Sequence, residues 1–238
     1  MFNLPEKYKI NKKIAAKNFI SKDLNADEKK KIKSILKNII LSYQLVGEEI
    51  PSVIDEHNNC QVIMFLDIEI DNIKNASYIA NIIQPQLKCL AVLNIFDNNM
   101  QRYFFANKRL SLQDKNEIVI TEITSTKESS LYFYEKWRVC LEESLNFHNI
   151  ILKENKITFY KEMMTKAIII NNDDLNINKD KLLKSVIWYN TRKVQDVFES
   201  IKNLEKCKLQ AKTIKETNER VMINKEIIKI NEEILNLI

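Results

Sequence analysis

The chain has 238 residues, 45% of them apolar, and a formal net charge of +5, which suffices for one ordinary core or one core with an appendage. A single glycine, Gly47, excludes the glycine-rich phosphate loops of Walker and dinucleotide-binding type, because each needs several positions without a Cβ. The longest apolar stretches, 62–66 and 90–96 with Asn94 inside the second, fall far short of the roughly 18 residues of a membrane span. The charged start MFNLPEKYKINKK contains no apolar signal core, so the expectation is a cytoplasmic chain with no membrane partner.

Cys60, Cys89, Cys140 and Cys207 are widely spaced and form no Cys-x-x-Cys pair, so they read as reduced, mostly buried residues. Charge is uneven along the chain. Residues 1–40 hold eleven lysines against four acids, residues 181–238 hold twelve basic residues against eight acids, and the middle is acidic.

In chain order, Asn25 and Glu28 have capping-box spacing before an amphipathic run containing Ile32, Ile35, Leu36, Ile39 and Ile40, which predicts a helix over 26–46. Lys29, Lys30, Lys33 and Lys37 lie on its other face, either as solvated surface or as phosphate contacts. Gly47 and Pro51 end the element. The segment 60–70 predicts a strand, 75–84 a helix stopping before Pro85, and 87–96, 101–107 and 117–124 three further strands, with Asp97-Asn98-Asn99 as a hairpin turn. This order implies an α+β fold: an antiparallel or mixed sheet of about four to five strands with helices on one face.

Between 126 and 180, LYFYEKW reads as extended, EKWRVCLEESLNF as helical and KAIIINN as strand. Asn178 is placed to cap a helix over 179–189. From Thr191 onward the apolar spacing is helical, through Val194, Val197, Ile201 and Leu204 and again through Ile223, Ile227, Ile230, Ile234 and Leu237. The polar stretch 212–220 is either the turn of an antiparallel hairpin or the middle of one long helix. The expected organisation is a domain over 1–190 and a helical, coiled-coil-like extension over 191–238.

Asp67 and Glu69, two apart on one strand face, have the spacing of paired metal-binding carboxylates, and Glu117 or Glu122 would supply a third ligand in a magnesium-dependent nuclease. The Glu-x-Lys element of restriction-type nucleases does not follow them, and the wet face of a half-buried strand accounts for the pair as well. His57-x-x-Cys60 is half of a zinc motif without its other half. The aromatic segment 131–137, together with Arg102, Tyr103, Phe104, Phe105, Lys108 and Arg109, mixes stacking surfaces with cations as single-strand nucleic-acid platforms do, although ordinary strand packing uses the same residues.

Three segments carry a family resemblance. They are Met1-Phe2-Asn3-Leu4-Pro5 with Asn11-Lys12-Lys13-Ile14, the central strand 65–70 with the following helix and the hairpin 90–107, and the closing run KETNERVMINKEI over 215–227. Together they resemble the bacterial proteins of domain of unknown function 4391. The resemblance implies an association with DNA methyltransferases and helicases of restriction or phage-defence clusters, and it carries no activity and no catalytic residues. The reading is thus a non-catalytic accessory protein without a cofactor, binding a helicase or methyltransferase through 191–238, with DNA backbone as a further partner. A divalent-metal nuclease and a homodimer joined through the tail are the alternatives.

Overall fold

The structure is a computed structural model and describes all residues except 22, 23, 115, 116, 174, 176, 215 and 238. Strand β1 (Lys9–Lys13) forms one edge of the sheet. Helix α1 (Ala26–Ile35) starts at the expected capping box: Glu28 N–H donates to Asn25 Oδ1 at 2.8 Å and Asn25 N–H donates to Glu28 Oε2 at 3.0 Å. The helix ends at Ile35, and β2 (Leu36–Leu45) follows at once, so the single helix expected over 26–46 is a helix and a strand. The apolar spacing of 36–45 fits either period. Its β-branched Ile39 and Ile40 and a partner strand along its whole length favour the extended form.

A small hairpin, β3 (Val53–Ile54) and β4 (Asn59–Cys60), precedes β5 (Ile63–Ile70). Helix α2 (Ala76–Gln86) crosses to β6 (Leu90–Phe96), which is parallel to β5, and its last turn contains Pro85 instead of stopping before it. Asp97 makes the next turn, accepting from the N–H groups of Asn99 and Met100 at 2.8 Å, and β7 (Met100–Leu110) and β8 (Ile118–Ser125) complete an antiparallel meander, with β9 (Ser129–Ser130) beside β7. The spatial order is β1-β2-β5-β6-β7-β8, and with β9 the sheet has seven strands among the described residues, more than the pattern suggested.

Helices pack on both faces of the sheet, not on one. Leu66, Ile68 and Ile70 of β5 meet α1 and α2, whereas Ile63 and Phe65 meet α3 (Lys136–Ser144), α4 (Lys156–Asn171), α5 (Lys179–Leu183), α6 (Thr191–Thr213) and α7 (Thr217–Leu237). The KAIIINN segment, expected as a strand, is the second half of α4. Thirteen of the 16 residues of α4 are buried, and a helix covered on all sides shows no 3.6-residue periodicity to read.

The charged residues of α4 hold the loops that cross it. Lys156 Nζ donates to the carbonyls of Gly47 and Ile50 at 2.9 and 2.6 Å and to Ser52 Oγ at 3.2 Å. Glu162 accepts the N–H groups of Ile151 and Leu152 and pairs at 2.6 Å with Lys166, which in turn donates to Asn149 O. Tyr160 Oη joins Ala106 N–H to Ala91 O across the sheet. Lys156, Tyr160, Glu162 and Lys166 therefore each have hydrogen-bond partners, as burial requires.

Asn178 caps α5 through Lys181 N–H, and the chain then turns through 186–189 into α6. Trp188, before residue 190, and Val194, Val197, Phe198, Ile201 and Leu204, after it, are buried in one apolar cluster with Phe159 and Met163 of α4. The tail is an antiparallel hairpin: α6 and α7 pack together, and Lys193 Nζ near the start of α6 donates to Leu237 O at the end of α7.

Candidate functional site

The proposed metal carboxylates are not gathered at one point. Asp67 is held by two neighbouring strands, accepting from Asn94 Nδ2 at 2.7 Å and from Ser42 Oγ. Ser42 is the extra residue of a bulge between Leu41 and Tyr43, a device that re-aims a side chain. Glu69 faces Lys37 at 3.9 Å, and Lys37 is itself the extra residue of a second bulge. Glu122 pairs with Lys202 of α6, and Glu117 is exposed before β8. Three strand spacings, about 14 Å, separate β5 from β8. Among the described residues no three His, Cys, Asp or Glu side chains converge as a metal site. His57 is exposed while Cys60 is buried, and burial pushes the Cys60 thiol up to about 12.

Asp67 does line a cleft of about 610 Å³ with Asn94, Gln101, Tyr103 and, from α3, Arg138 and Glu142. Phe2 and Asn3 on its wall adopt left-handed φ values of 48° and 45°, which a bulky residue seldom takes. Arg138 is engaged by Glu142 at 2.9 Å and by Ser130 O.

The cations divide by use. Lys108 Nζ donates to the carbonyls of Gln84, Leu87 and Cys89, all at 2.9 Å, and closes the C-terminus of α2; burial pulls its pKa down to about 8. Arg102 is spent on Thr126 O, Ser125 Oγ and Ser77 Oγ. Arg109, Lys30, Lys33 and Lys37 face solvent, and Lys29 is half-buried. The aromatic residues do not form one platform. Tyr103 and Phe105 are buried on one face of the sheet and Phe104 on the other, while Tyr132, Phe133 and Tyr134 are exposed in the loop before α3.

The hairpin presents the clearest unsatisfied surface. One face of α7, with Ile223, Ile227, Ile230, Ile234 and Leu237, turns toward α6 and the core, where Ile230 and Ile234 are buried. Val221, Ile228 and Leu235 recur every seven residues on another face and are 48%, 58% and 45% exposed. At 100° per residue they form a nearly straight line about 140° from the buried stripe. Met222 and, on α6, Leu209 add exposed apolar area at 71% and 66%. The sequence reading found the inner stripe and missed the outer one, although its seven-residue spacing is legible once the first is assigned to the core.

The family described as Domain of unknown function (DUF4391) has a model that matches residues 2–234. The chain belongs to this family. Comparisons with curated proteins and with solved structures return no match. The family model extends over α6 and most of α7, so the hairpin is part of what defines this DUF4391 protein.

Proposed function

We propose that this DUF4391 protein is a non-catalytic accessory subunit of a DNA-modification or phage-defence system, which docks a helicase or methyltransferase on its C-terminal hairpin. The observation that carries the reading is the outer stripe Val221, Ile228 and Leu235, an apolar line on a helix whose other apolar line is already used. Covering the exposed half of three such side chains contributes about 1 kcal/mol each, and a helix laid along heptad-spaced residues is the geometry that covers them. DNA backbone is the further contact, made by the exposed lysines of α1 (Lys30, Lys33), of β2 (Lys37) and of β1 (Lys9, Lys12, Lys13).

The test mixes the purified chain with purified DNA methyltransferases and helicases of restriction and phage-defence systems and measures complex mass by size exclusion with light scattering. A complex that Ile228→Glu abolishes is the expected result, and a complex unaffected by Ile228→Glu and Val221→Glu together overturns the reading. A doubled mass of the chain alone, lost in the same variants, would assign the stripe to a homodimer. Deleting 191–238 does not serve as the control, since it strips Val194, Val197, Phe198, Ile201 and Leu204 from the core.

A further inference from the structure

The two edges of the sheet are built differently. Strand β1 is fully exposed, carries three lysines in five residues and is interrupted by a bulge, the features that keep an edge from pairing with another chain. Strand β8, at the other edge, also carries one bulge, at Thr121, but its eight residues, Ile-Val-Ile-Thr-Glu-Ile-Thr-Ser, include no lysine, proline or glycine. Its one charge, Glu122, is neutralised by Lys202. Among the described residues no strand pairs with its outer side, which leaves about 27 Å of backbone with alternate N–H and C=O groups directed outward. Helix α2 flanks β8 on one face of the sheet, and α4 and α6 flank it on the other, so the edge lies in a groove.

Each end of that groove opens beside a hollow. At the Ile118 end an apolar cavity of about 40 Å³, with Leu90, Tyr160 and Met164 in its wall, has four basic residues around it, Lys88, Lys108, Arg109 and Lys161, and no acid. That volume accommodates a small aliphatic side chain. Lys161 is largely buried against the Phe198 ring, at 3.5 Å from its centroid, and burial pulls its pKa down to about 8. At the Ser125 end a cleft of about 230 Å³ includes Arg102, which faces Glu128 at 3.9 Å, and Lys127, which pairs with Asp173, so its charges are already balanced.

We infer that β8 is a strand-addition site for an extended acidic peptide of a partner protein, whose backbone completes the ladder, whose apolar side chains enter the hollows and whose carboxylates meet the basic rim. The edge ladder accepts only an extended chain, and the exposed Lys88 and Arg109 at the Ile118 end, where the lining holds no acid, select an anionic one. This surface is separate from the stripe on α7.

The probe is a fluorescein-labelled octapeptide of alternating valine and glutamate. Its controls are the valine–lysine octapeptide and a valine–glutamate octapeptide N-methylated on alternate amides. Anisotropy should show the valine–glutamate peptide binding at least about tenfold more tightly than either control, and amide hydrogen exchange of residues 118–125 should slow on binding. The double variant Lys88→Glu with Arg109→Glu, at two exposed positions, should lose that preference, whereas Ile228→Glu should retain it. Binding that ignores peptide charge, absence of binding, or unchanged exchange in β8 overturns the inference. So does protection of β8 that grows with the concentration of the chain alone, which would make a second copy the occupant.

Discussion

Helices α4 and α7 each hold nine apolar residues, among 16 and 21 positions, and have opposite surroundings. Helix α4 is enclosed, and its Lys156, Glu162 and Lys166 are each committed to a loop carbonyl, a backbone N–H or one another. Helix α7 is buried along one line, and its charges are solvated apart from a 3.7 Å pair between Lys229 and Glu233. The enclosed helix gives the protein its shape, because loops 47–52 and 149–152 are tied to its side chains. The half-covered helix leaves apolar surface for something else. Charge thus has opposite meanings in the two places: structural where water is excluded, incidental where it is not.

The comparison breaks first at Glu162. Replacing it with alanine leaves Lys166 charged and buried and orphans two N–H groups, so the loss should be about 3–5 kcal/mol in urea unfolding. A loss under about 1 kcal/mol would mean that α4 is not the anchor. Within α7, Ile234→Ala empties a fully buried site and should cost about 2–4 kcal/mol in the same assay.

A third prediction concerns pH. Burial holds Lys108 and Lys161 near 8 in the folded chain, below their unfolded value of about 10.4. Below pH 8 both states hold these protons and the folded state bears the cost of burying them; above about 10.4 neither state does. The unfolded chain binds more lysine protons between those limits, so the two lysines contribute a rise of about 1–3 kcal/mol from pH 8 to 10, set against the fall contributed by Cys60 and Cys89, whose thiols burial holds at about 12 and about 11. Thermal unfolding of Lys161→Met should show a smaller rise, and an equal rise would remove Lys161 from the account. The smallest effect belongs to the outer stripe. Ile228→Ser should change the stability of the isolated chain by no more than about 0.5 kcal/mol while removing the partner complex, which separates a docking residue from a packing residue on one helix.

Much of the fold was legible because local chemistry agreed with the tertiary outcome. The Asn25 capping box, the Asp97 turn and the Asn178 cap each depend on neighbours within four residues. Where the reading failed, the deciding partner was distant. The segment 36–45 is a strand because β5 lies beside it, and KAIIINN is helical because sheet and helices enclose it on all sides. The candidate site divides in the same way. Asp67 and Glu69 share a strand face as their spacing implies, but the bulges at Ser42 and Lys37 that bind them, and the strands that keep Glu117 and Glu122 away, follow from pairing.

By itself the sequence determined the α+β class, the absence of a glycine-rich phosphate loop, the helical tail and the family, since these rest on composition, short-range periodicity and near-collinear motifs. Only the tertiary structure decided that the tail folds back as a hairpin, that one apolar line of α7 is covered and the other open, and that one sheet edge is lined with lysines and the other is not. Burial depends on which surfaces meet across the chain, and an isoleucine reads the same in a sequence whether it faces the core or the water.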